Sequence, residues 1–190
     1  MIYEALTCLS EELNDFFKLK LSIAEEKVIL SGLVNADGTV AIPGENKIVI
    51  TLVNLEKETL QKLPSKAVTT NSFGNQNTPL QINIYVLFSA YFSSNNYGES
   101  LRFISFIMAY FQGKNVFTKS NTPNMDPKVE KLSIEIVDMS MDGLSNLWSL
   151  LGAKYMPSVL YKIRLLHFDE SVVREFRPGV SKIDNQSKTN

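Results

Sequence analysis

Histidine, cysteine and tryptophan are nearly missing from this 190-residue chain: one of each occurs, His167, Cys8 and Trp148. One His and one Cys cannot build a structural zinc site, which takes about four such donors. A lone thiol closes no internal disulfide, so Cys8 fits a reducing compartment and a small buried side chain. Cys8 and His167 also fall in patterns far apart along the chain, the first helix and the last strand, with no third group to orient a nucleophile and its base. Charge of one sign is lacking as well: 19 basic against 20 acidic residues leave a net charge of −1. A surface that displaces counterions from nucleic acid needs a Lys and Arg surplus, so nucleic acid is excluded as the main partner. Long apolar runs are absent. Ile82 to Phe92 is interrupted by Asn83 and Ser89, and Phe103 to Phe111 is no longer, so neither spans a bilayer. Acidic Glu4, Glu11, Glu12 and Asp15 and the lack of a basic n-region do not fit a signal peptide. The expectation is a soluble, cytoplasmic protein without a membrane partner.

Other chemistry-bearing patterns are equally thin. Gly113-Lys114 lacks the upstream Gly and the Ser or Thr of a phosphate loop, and it closes a helical pattern instead of opening one. Asp37 and Glu45 flank turns and read as solvated. Glu11-Glu12 and Glu25-Glu26 read as charge pairs on exposed faces. Tyr85, Tyr91 and Phe92 could stack bases, but without a basic surround they read as core. No enzyme constellation and no cofactor site emerge.

What is present is a mixed helix and strand pattern at ordinary globular composition, 44% hydrophobic. Ile2, Leu6, Leu9, Leu13 and Phe16 recur at helical spacing opposite Glu4, Ser10, Glu11, Asp15 and Lys18. Lys27 to Leu30 is a short strand candidate, followed by turns at Asp37-Gly38 and Pro43-Gly44-Glu45-Asn46. Lys47 to Glu56 reads as a strand apolar on both faces, with Ile48, Ile50 and Leu52 on one and Val49, Thr51, Val53 and Leu55 on the other. Leu63 to Pro79 is Ser-, Thr-, Asn- and Gln-rich and reads as a long loop. Leu80 to Phe92 is the strongest strand pattern, rich in β-branched and aromatic residues. A second helix from about Glu99 to Gln112 carries only Arg102, Ser105 and Gln112 as polar residues of its body. So apolar a helix needs cover around most of its circumference, part of it expected from another subunit. Asn115 to Pro127 reads as a second loop, and Leu132, Ile134 and Ile136 alternate as a half-exposed strand. Ser140 is a plausible N-cap for a helix holding Trp148, with Asp142 in its first turn. Trp148 reads as a core anchor. Val159 to Phe168 is the last strand, with Tyr161, Ile163 and Leu165 inward and Lys162 and Arg164 outward. The chain turns polar after Asp169, and from Ser181 its composition is that of a disordered tail.

The order of these motifs resembles a known family. An N-terminal helix is followed by Ile48-Val-Ile-Thr-Leu-Val-Asn54, then Pro79-Leu80-Gln-Ile-Asn83-Ile-Tyr85-Val-Leu87-Phe, a helix, and a strand like Leu132 to Val137. Leu144-Ser-Asn-Leu147-Trp148-Ser-Leu-Leu151-Gly152 and Pro157-Ser158-Val-Leu-Tyr161-Lys-Ile-Arg164 close the pattern. Together they are similar to the N-terminal domain of the cap, or tail-terminator, proteins of phage-tail-like contractile injection systems of the antifeeding-prophage type. The likeness spans roughly residues 2 to 168. The loop from Glu56 to Thr78 departs from it in being less rich in Pro and Arg.

The resemblance implies an α+β, two-layer fold: a mixed, mainly antiparallel sheet packed with about three helices. It implies one tail-terminator-like domain over residues 1–170, and the polar composition beyond it gives a partly disordered C-terminal extension over 171–190. It implies a structural protein, not an enzyme, with no cofactor and no metal. Such a protein closes the distal end of the inner tube and sheath as a ring, a hexamer by analogy, that ends polymerisation and anchors the sheath. The implied partners are further copies of the chain and the sheath and inner-tube proteins. A cyclic ring needs two different, complementary patches per subunit. The interface expectation falls on Arg102 and Ser105 of the apolar helix, on Phe73 in the first loop, and on Arg174, Phe176 and Arg177 in the tail. Arg and aromatic side chains are frequent interface anchors. The polar loops 63–79 and 115–127 and the tail 171–180 are further candidate tube and sheath contacts. An exposed strand edge is expected to take an arm of the last sheath ring by β-augmentation. A small-ligand-binding domain and an adaptor or chaperone domain are the alternative readings.

Overall fold

The computed structural model describes residues 1–58 and 81–167. Helix α1 spans Ile2–Leu21 and is followed by β1, Val28–Leu30, β2, Lys47–Lys57, and β3, Gln81–Tyr91. A short 3₁₀ turn, Ser94–Asn96, leads into α2, Tyr97–Gly113. Strands β4, Val116–Thr118, and β5, Val129–Ile136, precede α3, Met141–Leu151, and β6, Ser158–His167. The strands form one six-stranded sheet in the order β1-β2-β3-β6-β5-β4. Only β1 and β2 run parallel; every other neighbouring pair is antiparallel. The fold is the mixed, mainly antiparallel α+β architecture that the sequence implies. No helix among the described residues is long and apolar enough to cross a membrane.

The sheet has two unlike faces. One carries Ile48, Ile50, Ile84, Val86, Phe88, Tyr161, Ile163 and Leu132, and α1 and α2 bury it with Leu9, Leu13, Phe17, Phe103, Ile107 and Phe111. Burying each such side chain contributes roughly 1.5–3 kcal/mol, which is why helices short of polar residues settle there. On the opposite face α3 and the segment from Leu33 to Ile42 cover one end of the sheet. There Leu147 and Trp148 pack on Val49 and Leu87. The other end of that face is a polar lattice. The Arg164 guanidinium lies 2.9 Å from Glu135, Lys162 lies 3.4 Å from the same carboxylate, and Tyr85 donates to Glu56 at 3.0 Å.

Local signals act as expected at both ends of α3. Gly143 N–H donates to Ser140 Oγ at 3.1 Å, and Gly152 ends the helix at φ 64, a left-handed conformation that glycine adopts without steric cost. Gly38, φ 81, closes the Asn35–Thr39 turn.

Several sequence readings need correction. In the first helix, Phe17 rather than Phe16 is the fully buried ring. Continuing the helix past Phe16 rotates Phe17 toward Phe103, whose ring centroid is 5.0 Å away. Val116–Thr118, read as loop, is a strand that pairs with Lys131–Ser133 and buries Phe117. Its pattern is too short to stand out beside Asn, Thr and Pro. A bulge between Leu52 and Asn54 reverses the alternation of β2. Leu55, read on the side of Val49, therefore pairs with Ile84 and lies on the helix-covered side. Tyr85 belongs to the polar lattice and not to the core. Glu12 is more than a surface charge. Its carboxylate accepts from Tyr110 Oη at 2.8 Å and pairs with Lys114, joining α1 to the end of α2.

Candidate assembly surfaces

Edges of a sheet decide what it can pair with, because they carry unmatched backbone groups. In this fold an asparagine caps part of the outer edge of each terminal strand. Asn14 of α1 reaches β1, where its Oδ1 accepts from the N–H groups of Lys27 and Val28 and its Nδ2 donates to Val28 C=O, each at 2.9 Å. Ser10 Oγ adds a bond to the same carbonyl at 3.1 Å. On the far edge Asn121 does the same for β4. It accepts from Thr118 N–H and donates to Val116 C=O, both at 2.9 Å. The amide side chain supplies one acceptor and two donors, enough to imitate a stretch of neighbouring strand.

Among the described residues, one stretch of edge has no neighbouring strand. β1 pairs only Val28–Leu30 with Ile48–Ile50, while β2 continues to Lys57. No described strand lies along the outer side of residues 52–57. Two leucines flank this stretch, Leu52 at 40% and Leu55 at 45% exposure. Elsewhere apolar surface is exposed on both sides of the molecule. On α2 it comprises Tyr97, Leu101 and Met108, and around α3 it comprises Met141, Leu150 and Tyr155.

Of the sequence-predicted interface residues, the structure places Arg102 and Ser105 together on the solvent-facing side of α2. Arg102 pairs with Glu99 at 2.8 Å, and Ser105 Oγ donates to Leu101 C=O at 2.8 Å. Both polar groups thus have partners within their own helix, and the unsatisfied surface beside them is the apolar Leu101 and Met108. Phe73, Arg174, Phe176 and Arg177, with the loop 63–79 and the tail 171–180, lie outside the described residues. Sequence reasoning missed Leu52, Leu55, Asn14 and Asn121. No local signal marks them, since each role depends on a partner strand.

The titratable groups point to structure. Burial, with the Glu12 and Glu11 carboxylates adding to it, pushes the Cys8 thiol up to about 11, so it stays protonated at neutral pH. A thiol reagent should therefore leave Cys8 intact in the native protein at pH 8 and modify it promptly in urea; similar rates in the two states would contradict its burial. The His167 side chain lies outside the described part. Burial raises Tyr161 to about 12. Hydrogen bonds from Lys27 and Lys47 hold the exposed Glu25 carboxyl at about 2. This cluster fastens the strand entry, as Lys47 Nζ also donates to Glu26 C=O at 2.6 Å.

Comparison with known proteins places this arrangement. No curated protein matches the chain. Among solved structures it is similar to the sheath/tube terminator of the PVC extracellular contractile injection system in its extended state. The TM-score is 0.60 at 11% identity over 100% of this chain and 64% of the other. It is also similar to the tube-terminating cap of the anti-feeding prophage, with a TM-score of 0.48 at 12% identity over 92% of this chain and 58% of that one. The chain thus spans a little under two thirds of the length of these proteins. At such identity the likeness is one of fold. A family model settles the relationship, matching residues 5–182. The chain belongs to the family described as the Pvc16 N-terminal domain.

Proposed function

We propose that this protein is a structural terminator of a contractile injection system. Copies of the chain assemble into a ring, hexameric by analogy with its family, at the distal end of the inner tube. The ring ends polymerisation and anchors the extended sheath. Membership of the Pvc16 N-terminal domain family over residues 5–182 is the observation that carries this reading. The surface is consistent with it: apolar side chains are exposed on α2 on one side of the sheet and around α3 on the other, so each copy has two different patches, as a closed heterologous ring requires. The partners are further copies, the sheath protein and the inner-tube protein. The chain acts by holding neighbours and not by catalysis. Residues 1–170 form the ring-building domain, and 171–190 extend from it.

Electron microscopy of particles from a strain lacking the chain tests the proposal. The expected result is tubes of uncontrolled length with sheath lost from the distal end. Particles of normal length with a stable extended sheath would defeat it.

A further inference from the structure

The seal that Asn14 makes along β1 stops at Val28, and a groove opens where it stops. We propose that this groove takes a short extended segment of another protein, three or four residues deep with Lys or Arg at alternate positions, which pairs with the backbone of Leu30. The site is read from the chain itself; that its occupant is a neighbour in the particle rests on the terminator reading above.

Three observations carry it. The first is an unmatched pair of backbone groups. Ile48 N–H donates to Lys27 C=O at 2.7 Å, and Ser31 N–H donates to Ile50 C=O at 3.2 Å. In a parallel pair alternate residues turn their backbone groups to the neighbouring strand. Ile29 therefore faces β2, while Val28 and Leu30 turn N–H and C=O outward. Asn14 answers both groups of Val28. Nothing among the described residues answers those of Leu30. Unpaired edge groups of this kind are what an added strand pairs with.

The second is room. The face of α1 from Tyr3 to Lys18 runs beside this edge, and between them lies a groove of about 560 Å³ lined by Val28, Ile29 and Leu30 on the strand side. All of its walls belong to described residues. One residue of a packed strand takes up roughly 160 Å³, from a rise of about 3.3 Å, a strand spacing of about 4.8 Å and a sheet spacing of about 10 Å. The groove thus has the volume of three to four extended residues, which is also the length of β1.

The third is charge, which selects the occupant. The groove is lined by the carboxylates of Glu11, Asp15 and Glu26 and by one ammonium, that of Lys18. Lys18 lies 3.5 Å from Asp15, and no cation pairs with Glu11 or Glu26 among the described residues. Two unpaired carboxylates favour cationic side chains and repel acidic ones. Side chains of an added strand alternate between its two sides, so the cations belong at alternate positions. Along the whole chain, basic residues stand two apart only at Lys18 and Lys20 and at Lys162 and Arg164. The first pair lies in α1 and the second in β6, between β3 and β5. A second copy of the chain therefore offers no such segment, and the occupant is a different protein.

The test titrates the full chain with the capped peptide Thr-Lys-Val-Arg-Val-Lys-Thr and follows backbone amide signals by NMR. The expected result is saturable binding that shifts the Leu30 amide. Two further peptides carry N-methyl groups on one or the other set of alternate amides. One of them should bind about tenfold more weakly, having lost its strand bonds, while the other binds as before. Glu11→Gln combined with Glu26→Gln should weaken the unmodified peptide about fivefold and leave the thermal midpoint unchanged, since both carboxylates are exposed. No binding, an unmoved Leu30 amide, equal binding of the two methylated peptides, or indifference to the double substitution would each overturn the proposal. So would a Leu30 shift that follows the concentration of the chain without peptide, which would make a second copy the occupant. Normal particles in the deletion strain would sink the terminator reading and leave the result on the groove standing.

Discussion

Trp148→Ala should lower the unfolding free energy by about 3–5 kcal/mol. The ring is 5% exposed and is the largest side chain of the smaller core, with Leu33, Ile42, Val49, Leu87 and Leu147 around it. It also meets Tyr155 edge-on, centroids 5.6 Å apart at 68°. Truncation would open a cavity between α3 and the sheet that these branched neighbours cannot collapse to fill. Since single domains are stable by only about 5–15 kcal/mol, such a loss brings the protein close to unfolding at growth temperature. Trp148→Phe should cost only about 1–2 kcal/mol, the area lost and little more. The indole Nε1 is buried without a hydrogen-bond partner among the described residues, so removing it breaks no bond. Urea titration followed by far-ultraviolet circular dichroism measures both variants without relying on tryptophan fluorescence. Equal losses for Phe and Ala would mean that the indole N–H, not the volume of the ring, anchors the helix.

Asn14→Ala should cost about 2–4 kcal/mol, because it strips partners from buried backbone groups and not merely one weak bond. Asn14 is 6% exposed and Val28 is 2% exposed, so water reaches the freed Val28 N–H poorly. Ser10 Oγ still serves the Val28 carbonyl, which limits the damage on the acceptor side. Asn14→Asp keeps an acceptor for both N–H groups and loses only the donation, and its cost should fall between Ala and the native residue. The variant has a second signature. With the β1 edge uncovered, the protein should associate in a concentration-dependent way, visible by light scattering at temperatures where circular dichroism still shows the folded state. An Asn14→Ala protein as stable and as monodisperse as the native chain would show that the amide does not guard the edge.

The helices and the long strands were legible in the sequence because each repeats its apolar residues often enough to declare a period. Leu9, Leu13 and Ile107 lie in the core for that reason, as do Tyr161, Ile163 and Leu165 of β6. Caps were legible too, since Ser140 and Gly152 act within a single turn. Val116–Thr118 was not, because a three-residue strand has no period to show. Leu55 was misplaced by its alternation, as the bulge that turns it is a property of the β2–β3 pair and leaves no mark on either strand alone. Of the expected interface residues, Arg102 and Ser105 were singled out through the scarcity of polar residues on α2. The structure shifts attention to the exposed apolar Leu101 and Met108 beside them.

Sequence alone determined the helices and long strands, which classes of chemistry the chain lacks the residues for, and the family it resembles. The first two follow from composition and from spacings of three, four or two residues; the resemblance rests on the order of its motifs. Tertiary structure alone decided which strand edges an asparagine covers. That outcome depends on contacts such as Asn14 with Val28, whose energy exists only once a distant helix has been laid beside the strand. Whether an edge is covered is a relation between elements, and no single stretch of chain encodes it.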